Sequence, residues 1–512
     1  MNKRDPSWLP YLLPRFQDVL FVAMYASVIG LGPRLLNMDG DLGRHLVVGG
    51  FILDTHTIPR ADVFSHTMSG QSLTPHEWLA EVIFALIYRL GGLNGVVLFC
   101  AVLIALTFSL VYQQALRRSN SLLLSSSLSL AAAAAASLHW LARPHLFTMF
   151  FAVLWVGLLE RYRRGEPSLI LVFPGLMLLW ANLHGGFIAG FAIWGMFLAG
   201  ECIDHLIHSK KNQKTIQNLF NVGLLSFLAS MLNPSGFELW RTSLGYLQNG
   251  YLVGHTAEYF PPDIHMPAAW PFFGLVAFSL LVILRSYKRM YTGHLFLLLS
   301  WAGMAFVSAR NIPLFAVVAA PILVEYIAVA INDSKVPGSA PTSGARLYAI
   351  DSSLKGHLWP GAALVLAPLI FSLGFPLDFA QQGNRFDPRV FPVAAADWLE
   401  DQTIEGTMFN YFPWGGYLLY RFWPSERVFI DGQTDFYGEQ LTRQYEQVIT
   451  LGDGWQDVLN QHNVSLVIMP ADSALASFLQ SLPEWKAIYR DQTSLILAIR
   501  PGKTAREQGP SP

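Results

Sequence analysis

The chain has 512 residues, of which 53% are hydrophobic and 13% charged, with a net charge of −1. Soluble domains carry about 25% charged residues, so this composition argues against a soluble enzyme, and the near-zero net charge against nucleic acid or an acidic partner. The two cysteines, Cys100 and Cys202, lie inside apolar runs without CxxC spacing, which leaves no basis for a disulfide framework or a thiolate zinc site.

The apolar runs are what remains to be explained. The N-terminus is polar, and the first run lacks a small-residue cleavage site, so it is expected to be retained as a span. A bilayer crossing needs about 20 residues. The chain offers about eleven candidate runs, near 17–36, 94–115, 121–138, 146–160, 168–183, 186–204, 216–232, 270–285, 292–308, 312–331 and 358–377. Several are short, which implies tilt or local thinning. Ala131–Ala136 is small enough to pack closely against a neighbouring helix.

The polar connections sort into two alternating sets. Asn2-Lys3-Arg4, Arg117-Arg118, Arg161–Arg164, Lys210–Lys214, Arg285–Arg289 and Lys335–Lys355 are basic and otherwise bland. Short Lys/Arg-rich loops favour the cytoplasmic side, which places 37–78, 139–145, 182–186, 233–269, 309–311 and 378–512 outside. The expected location is the inner (cytoplasmic) membrane, with the N-terminus cytoplasmic and the C-terminal part extracytoplasmic.

The first outer loop is the most polar of these. Asp39, Asp41, Arg44, His45, Asp54, His56, Arg60, Asp62, His66, His76 and Glu77 fall within it. Leu42, Leu46, Val48, Gly49, Ile52 and Leu53 form a helical stripe, and Trp78, Leu79, Val82, Ile83, Leu86 and Leu90 form a second, ended by Gly91-Gly92. Two amphipathic helices in the interface plane are expected, with Glu81 and Arg89 on the polar side. Asp41 is placed to cap the first helix, and Thr57–Pro75 is turn-rich.

Beyond the last span the composition becomes α/β. Thr407–Asn410, Arg427–Asp431, Val464–Met469 and Leu495–Arg500 read as strands. Trp398, Leu418, Tyr445, Trp455 and Leu459 fall in helix-like stretches between them. The expected domains are 1–377 in the membrane, 378–502 as an extracytoplasmic α/β domain and 503–512 as a disordered tail. Ile331–Gly356 reads as a flexible linker.

Carboxylates two residues apart at a turn can share a divalent cation such as Mg²⁺ or Mn²⁺, or divide acid and base roles. Asp39 and Asp41 could equally be a loop residue and a helix cap. If Asp41 caps, Asp39 is the catalytic base. His45, one turn after Asp41, and His76 and Glu77 could serve a metal or act as acid partners, or could simply be satisfied by neighbours. The His76-Glu77 pair lacks HExxH spacing, so a structural zinc is not expected. Arg143, His145, His184 and Arg310 stand at outer ends of spans, where cations suit a phosphate at the membrane face or snorkel to headgroups. Trp414, Tyr417 and Asp431 suit sugar hydroxyls, or form a tight turn.

This arrangement resembles the GT-C superfamily of polytopic glycosyltransferases. An acidic motif in the first outer loop, two helices in that loop, many spans and an outer C-terminal α/β domain carry the resemblance. Asp39-Gly-Asp-Leu-Gly-Arg-His45, Ile58-Pro-Arg-Ala-Asp62, His76-Glu-Trp-Leu-Ala-Glu81, Asn182-Leu-His-Gly185 and Ile430-Asp-Gly432 resemble a bacterial branch of it. The resemblance implies a polyprenyl-phosphate-linked sugar donor, transfer to a glycan, lipid or protein acceptor at the extracytoplasmic face, and a first-loop acid acting as base or metal ligand. Glu258 corresponds in position to a late-loop glutamate that some members bring to the metal. There is no WWDYG motif, and Trp414-Gly-Gly-Tyr417 is only superficially like one, so transfer to a sequon asparagine is not implied. The alternatives are a lipid-linked phosphotransferase and a glycolipid transporter or flippase. A transporter calls for polar residues near mid-span, and the polar clusters here gather at one face.

Overall fold

The computed structural model describes residues 8–166, 172–208, 213–333, 343–402 and 406–500. The expected tail 503–512, Asn2-Lys3-Arg4, and parts of the Lys210–Lys214 loop and of the 331–356 linker lie outside them. The chain divides into two compact units. One comprises Met1–Gly32, Asn94–Gly236 and Thr256–Gly383, the other Pro33–Leu93, Phe237–His255 and Asn384–Pro512.

The first unit is helical, and every apolar run of the sequence contains a helix. Among the described residues, six helical segments are long and apolar enough to cross a bilayer: Leu9–Gly30, Trp78–Ser119, Leu122–His139, Gly185–Ile207, Pro267–Arg289 and Ala309–Asp333. The pair Gly344–Ser353 and Leu358–Ser372, bent by 70°, makes a seventh if it is one span. On length and composition alone, six or seven segments among the described residues meet that test. Other apolar helices are shorter: Thr292–Val307 has 16 residues, about 24 Å of rise against roughly 30 Å of hydrocarbon.

Packing in this unit follows small residues. Ile312–Asp333 is buried continuously from Ile312 to Val324 and packs against Leu122–Ala136, where Ala132, Ala133, Ala135 and Ala136 are buried. Side chains that end at Cβ let the two backbones approach, as the alanine run implied.

The second unit contains a four-stranded sheet ordered β1-β2-β4-β3, with β1 Thr407–Asn410, β2 Val464–Pro470, β3 Trp485–Arg490 and β4 Ser494–Ile499. β1 runs parallel to β2, and the other pairs are antiparallel. Helices Val393–Glu400, Gly415–Phe422, Thr434–Ile449 and Trp455–Gln461 hold the residues expected to be helical.

Arg427–Asp431 is a correction: it holds one isolated bridge, Val428 to Ser65, and joins no strand of this sheet. Val428 N–H donates to the Phe64 carbonyl, and His66 N–H to the Val428 carbonyl. Asn410 Oδ1 accepts from Phe429 N at 2.8 Å, and Asn410 Nδ2 donates to the Ile430 carbonyl at 2.8 Å. The segment is β-rich in composition because it is buried, and its backbone groups are satisfied by the first loop and one amide side chain.

The first loop belongs to this second unit. Its two helices are Leu42–Thr55 and the first part of Trp78–Ser119, which is interrupted at Gly92 (φ 58°). The earlier helix does not lie with a polar face in water. Arg44 and His45 are each 4% exposed, and the helix packs against Gly415–Phe422.

Candidate functional site

Close backbone approach explains the glycines of the Asp39-Gly-Asp motif. A Cβ at Gly40 would stand 1.9 Å from the Pro413 carbonyl oxygen, and one at Gly416 would stand 2.3 Å from the Gly40 carbonyl oxygen. A Cβ at Gly432 would meet Asp41 Oδ1. The acidic turn is thus seated against Trp414-Gly-Gly-Tyr417 and Asp431-Gly432, two motifs that looked unrelated to it in the sequence.

Both carboxylates of the motif are half-buried. Asp39 Oδ1 accepts Asp41 N–H at 2.7 Å, closing a local turn. Asp41 occupies the N-cap position of Leu42–Thr55, but its side chain makes no cap hydrogen bond. The expected division of labour is corrected: Asp39 engages local backbone, and capping does not set Asp41 aside.

Arg44 holds the next layer. Its Nη1 donates to Asp431 Oδ2 at 2.8 Å, its Nη2 to Gln433, and its guanidinium lies over the Phe64 ring. Burial would lower its pKa, but Asp431 and other acids raise it overall, so the guanidinium stays charged out of water. Asp62, in the Ile58–Asp62 motif, closes a turn by accepting from Phe64 N, Ser65 N and Ser65 Oγ. Burial pushes its carboxyl up despite those bonds.

A third cluster gathers His45, His76, Glu77 and Glu81. His45 Nδ1 lies 3.4 Å from Glu81 Oε1 and 3.8 Å from Glu77 Oε2. His76 Nε2 lies 3.9 Å from Glu77 Oε1, and its Nδ1 lies 3.5 Å from Asp435 Oδ2. Burial alone would lower the pKa of each histidine. The hydrogen bond to Glu81 and the charges of Glu77, Glu81 and Asp41 raise that of His45, and Asp435, Glu77 and Glu81 raise that of His76. Gly49 fixes the crossing, since a Cβ there would stand 1.9 Å from the Glu81 carbonyl oxygen. Glu81 was read as a polar-face residue and is 6% exposed. The signal that could have found it is its spacing, one helical turn after Glu77.

Trp414, Tyr417 and Asp431, expected to meet an acceptor, are 4%, 1% and 0% exposed. Trp414 Nε1 donates to the Val390 carbonyl at 2.8 Å. An acceptor contacting these three would first have to displace the packing that seats the acidic turn, so they are set aside as acceptor contacts.

In the first unit, Arg143 and Arg310 converge on Glu258. Arg143 Nη1 pairs with Glu258 Oε1, and Arg310 Nη1 lies 3.7 Å from Glu258 Oε2 and donates to Tyr259 Oη at 2.7 Å. Burial would raise the Glu258 pKa, but the two guanidiniums more than offset it and hold the carboxyl well below the usual range. A carboxylate already shared by two guanidiniums is a poor cation ligand, which argues against Glu258 as a metal partner. The three charges leave one net positive charge. His145 Nε2 stands 2.6 Å from the His139 carbonyl oxygen. His184 is 5% exposed, and its Nδ1 accepts from Gly186 N at 2.9 Å while contacting Thr148 Oγ1 at 2.8 Å. These contacts hold the Gly185–Phe187 turn.

The sequence matches no protein-family profile and no curated protein. Solved structures do match. The oligosaccharyltransferase of Archaeoglobus fulgidus in its apo form superposes with a TM-score of 0.59 at 12% identity, over 89% of this chain and 70% of that one. The archaeal oligosaccharyltransferase AglB from Archaeoglobus fulgidus, solved with an inhibitory peptide and a dolichol-phosphate, gives 0.57 at 13% identity, over 89% and 69%. ArnT from Cupriavidus metallidurans in the apo state gives 0.53 at 12% identity, over 94% and 97%. The chain shares the fold of these structures, the one that the GT-C resemblance implied. It carries several helices long and apolar enough to cross a membrane, and its C-terminal part carries a small sheet. Among the described residues, two groups of three His and acidic side chains converge closely enough to hold a divalent cation, and neither includes Asp39, Asp41 or Glu258.

Proposed function

We propose that the chain is a membrane glycosyltransferase that moves a sugar from a polyprenyl-phosphate-linked donor to an acceptor hydroxyl at the extracytoplasmic face of the cytoplasmic membrane. The observation that carries the reading is the first-loop acidic turn, half-buried and seated by glycine contacts within a chain of GT-C fold. A polyprenyl phosphate suits the reading, since one related structure was solved with a dolichol-phosphate. The finer count of eleven spans and the basic-inside topology belong to the same proposal.

The reaction is a single displacement. The acceptor oxygen attacks the anomeric carbon, and its proton passes to the carboxylate of Asp39 or Asp41. The bond from the anomeric carbon to the phosphate oxygen breaks, and polyprenyl phosphate leaves with the electron pair. In-line attack inverts the anomeric configuration. A phosphate leaving group needs positive charge rather than a proton, and Arg143 and Arg310 are the residues proposed to bind the donor phosphate. His145 and His184 are assigned to the framework around it. No step is assigned to a hard cation at Asp39 and Asp41.

Binding of the released carrier tests the phosphate assignment. Native mass spectrometry of the purified protein should detect bound undecaprenyl phosphate. Arg310→Ala and Arg143→Ala should weaken it about tenfold each, the scale of one charge-assisted contact. Equal binding by wild type and both variants would overturn the assignment.

A further inference from the structure

His45, Glu77 and Glu81 form a group that the proposed transfer leaves unused. Glu77 and Glu81 stand one turn apart, with Glu81 N–H donating to the Glu77 carbonyl at 3.0 Å. The His45 ring, from the neighbouring helix, is aimed between their carboxylates. One donor atom from each of the three lies within 4.8 Å of the others.

Two observations favour an ion over a plain hydrogen-bond network. The distances are the first. His45 Nδ1 makes a long hydrogen bond of 3.4 Å to Glu81 and stands 3.8 Å from Glu77, beyond hydrogen-bond range. Ligand atoms about 2.0–2.2 Å from a tetrahedral ion stand roughly 3.3–3.6 Å apart. The second is charge. Two carboxylates drawn together with little exposure favour a cation between them.

We propose that His45, Glu77 and Glu81 bind a divalent transition-metal ion of the zinc type, joining the helix Leu42–Thr55 to the start of Trp78–Ser119. An imidazole donor suits zinc better than magnesium, which takes oxygen ligands. His76 borders the remaining position, with Asp435 behind its other ring nitrogen. A carboxylate there is the usual partner of a metal-ligating histidine. The site lacks HExxH spacing because its histidine comes from a separate helix. The proposal stands apart from the transfer reading: a chain that binds zinc here without turning over a donor would uphold one and overturn the other.

The test uses full-length protein without a histidine tag, stripped with EDTA and titrated with Zn²⁺ and, separately, Co²⁺. Wild type should bind about one Zn²⁺ per chain and show the intense visible bands of tetrahedral Co²⁺. The Glu77→Gln/Glu81→Gln double variant should bind roughly 100-fold more weakly. X-ray absorption of the Zn-loaded wild type needs no variant and should show imidazole among nitrogen and oxygen donors near about 2.0–2.1 Å. No stoichiometric binding by wild type, equal binding by a folded double variant, or absorption without imidazole would each overturn the proposal.

Discussion

The two units each bury one histidine and two glutamates together, and the two groups differ in how they are satisfied. In the first unit, His294 Nε2 stands 2.6 Å from Glu160 Oε1. Arg118, Arg163 and Arg164 surround Glu160 and Glu325 at 2.9–3.9 Å. That group is closed: every acid has a guanidinium, and the ring nitrogen has a hydrogen bond. In the second unit, the His45 ring makes one long hydrogen bond of 3.4 Å to Glu81 and stands 3.8 Å from Glu77. The same residue types make a closed knot in the first unit and a looser group, proposed above to take a metal ion, in the second.

The comparison can be broken at several points. Removing one member of the closed group should have the largest effect, since the remaining buried charges lose their partner. Glu160→Gln should cost about 3–5 kcal/mol, read as a lowered unfolding midpoint that added metal does not restore. The open group should behave differently. EDTA should destabilise wild type by roughly 3 kcal/mol relative to a hundredfold excess of zinc over its Kd, and should leave Glu81→Gln unmoved. A metal-insensitive wild type would erase the contrast.

A packing change should come next. Gly432→Ala drives a Cβ into Asp41 and should cost about 1–3 kcal/mol, whereas Gly245→Ala, with nothing within 4 Å of its added Cβ, should cost nothing measurable.

The smallest effect expected is a pH dependence. His66 Nε2 lies 3.0 Å from the Met408 carbonyl oxygen, and burial lowers its pKa to about 4. Protonation then favours the unfolded chain. Stability is fully present above the ordinary histidine value near 6.5 and falls as pH drops from there toward 4. His66→Gln should flatten the unfolding midpoint against pH across that window. An unchanged curve would remove His66 from the account.

Much of the helical framework was legible because apolar length and period survive in any context. Span length was less legible, because runs such as Thr292–Val307 are apolar without being long. Strand reading failed at Arg427–Asp431, where burial mimics a strand but the first loop supplies the partners. It also passed over Trp485–Arg490, whose Lys486 and Arg490 soften the pattern at the end of the sheet order. The acidic turn stood out in the sequence as a polar island. Its surroundings did not, because Arg44–Asp431 and Gly40–Gly416 join residues hundreds of positions apart. Glu81 was missed because its place beside an apolar stripe looked like a solvated face. Capping by Asp41 was a local rule that tertiary contact with Gly432 replaced.

The central claim is glycosyl transfer dependent on the Asp39–Asp41 turn. The most direct measurement is the turnover of polyprenyl-phosphate-linked sugars, extracted from the source membranes, by the purified protein in lipid nanodiscs. Wild type should release polyprenyl phosphate with inverted transfer of the sugar. Asp39→Asn and Asp41→Asn, folded and inserted, should each lose roughly 100-fold or more, the scale of a general base. Full turnover by both variants would contradict the account.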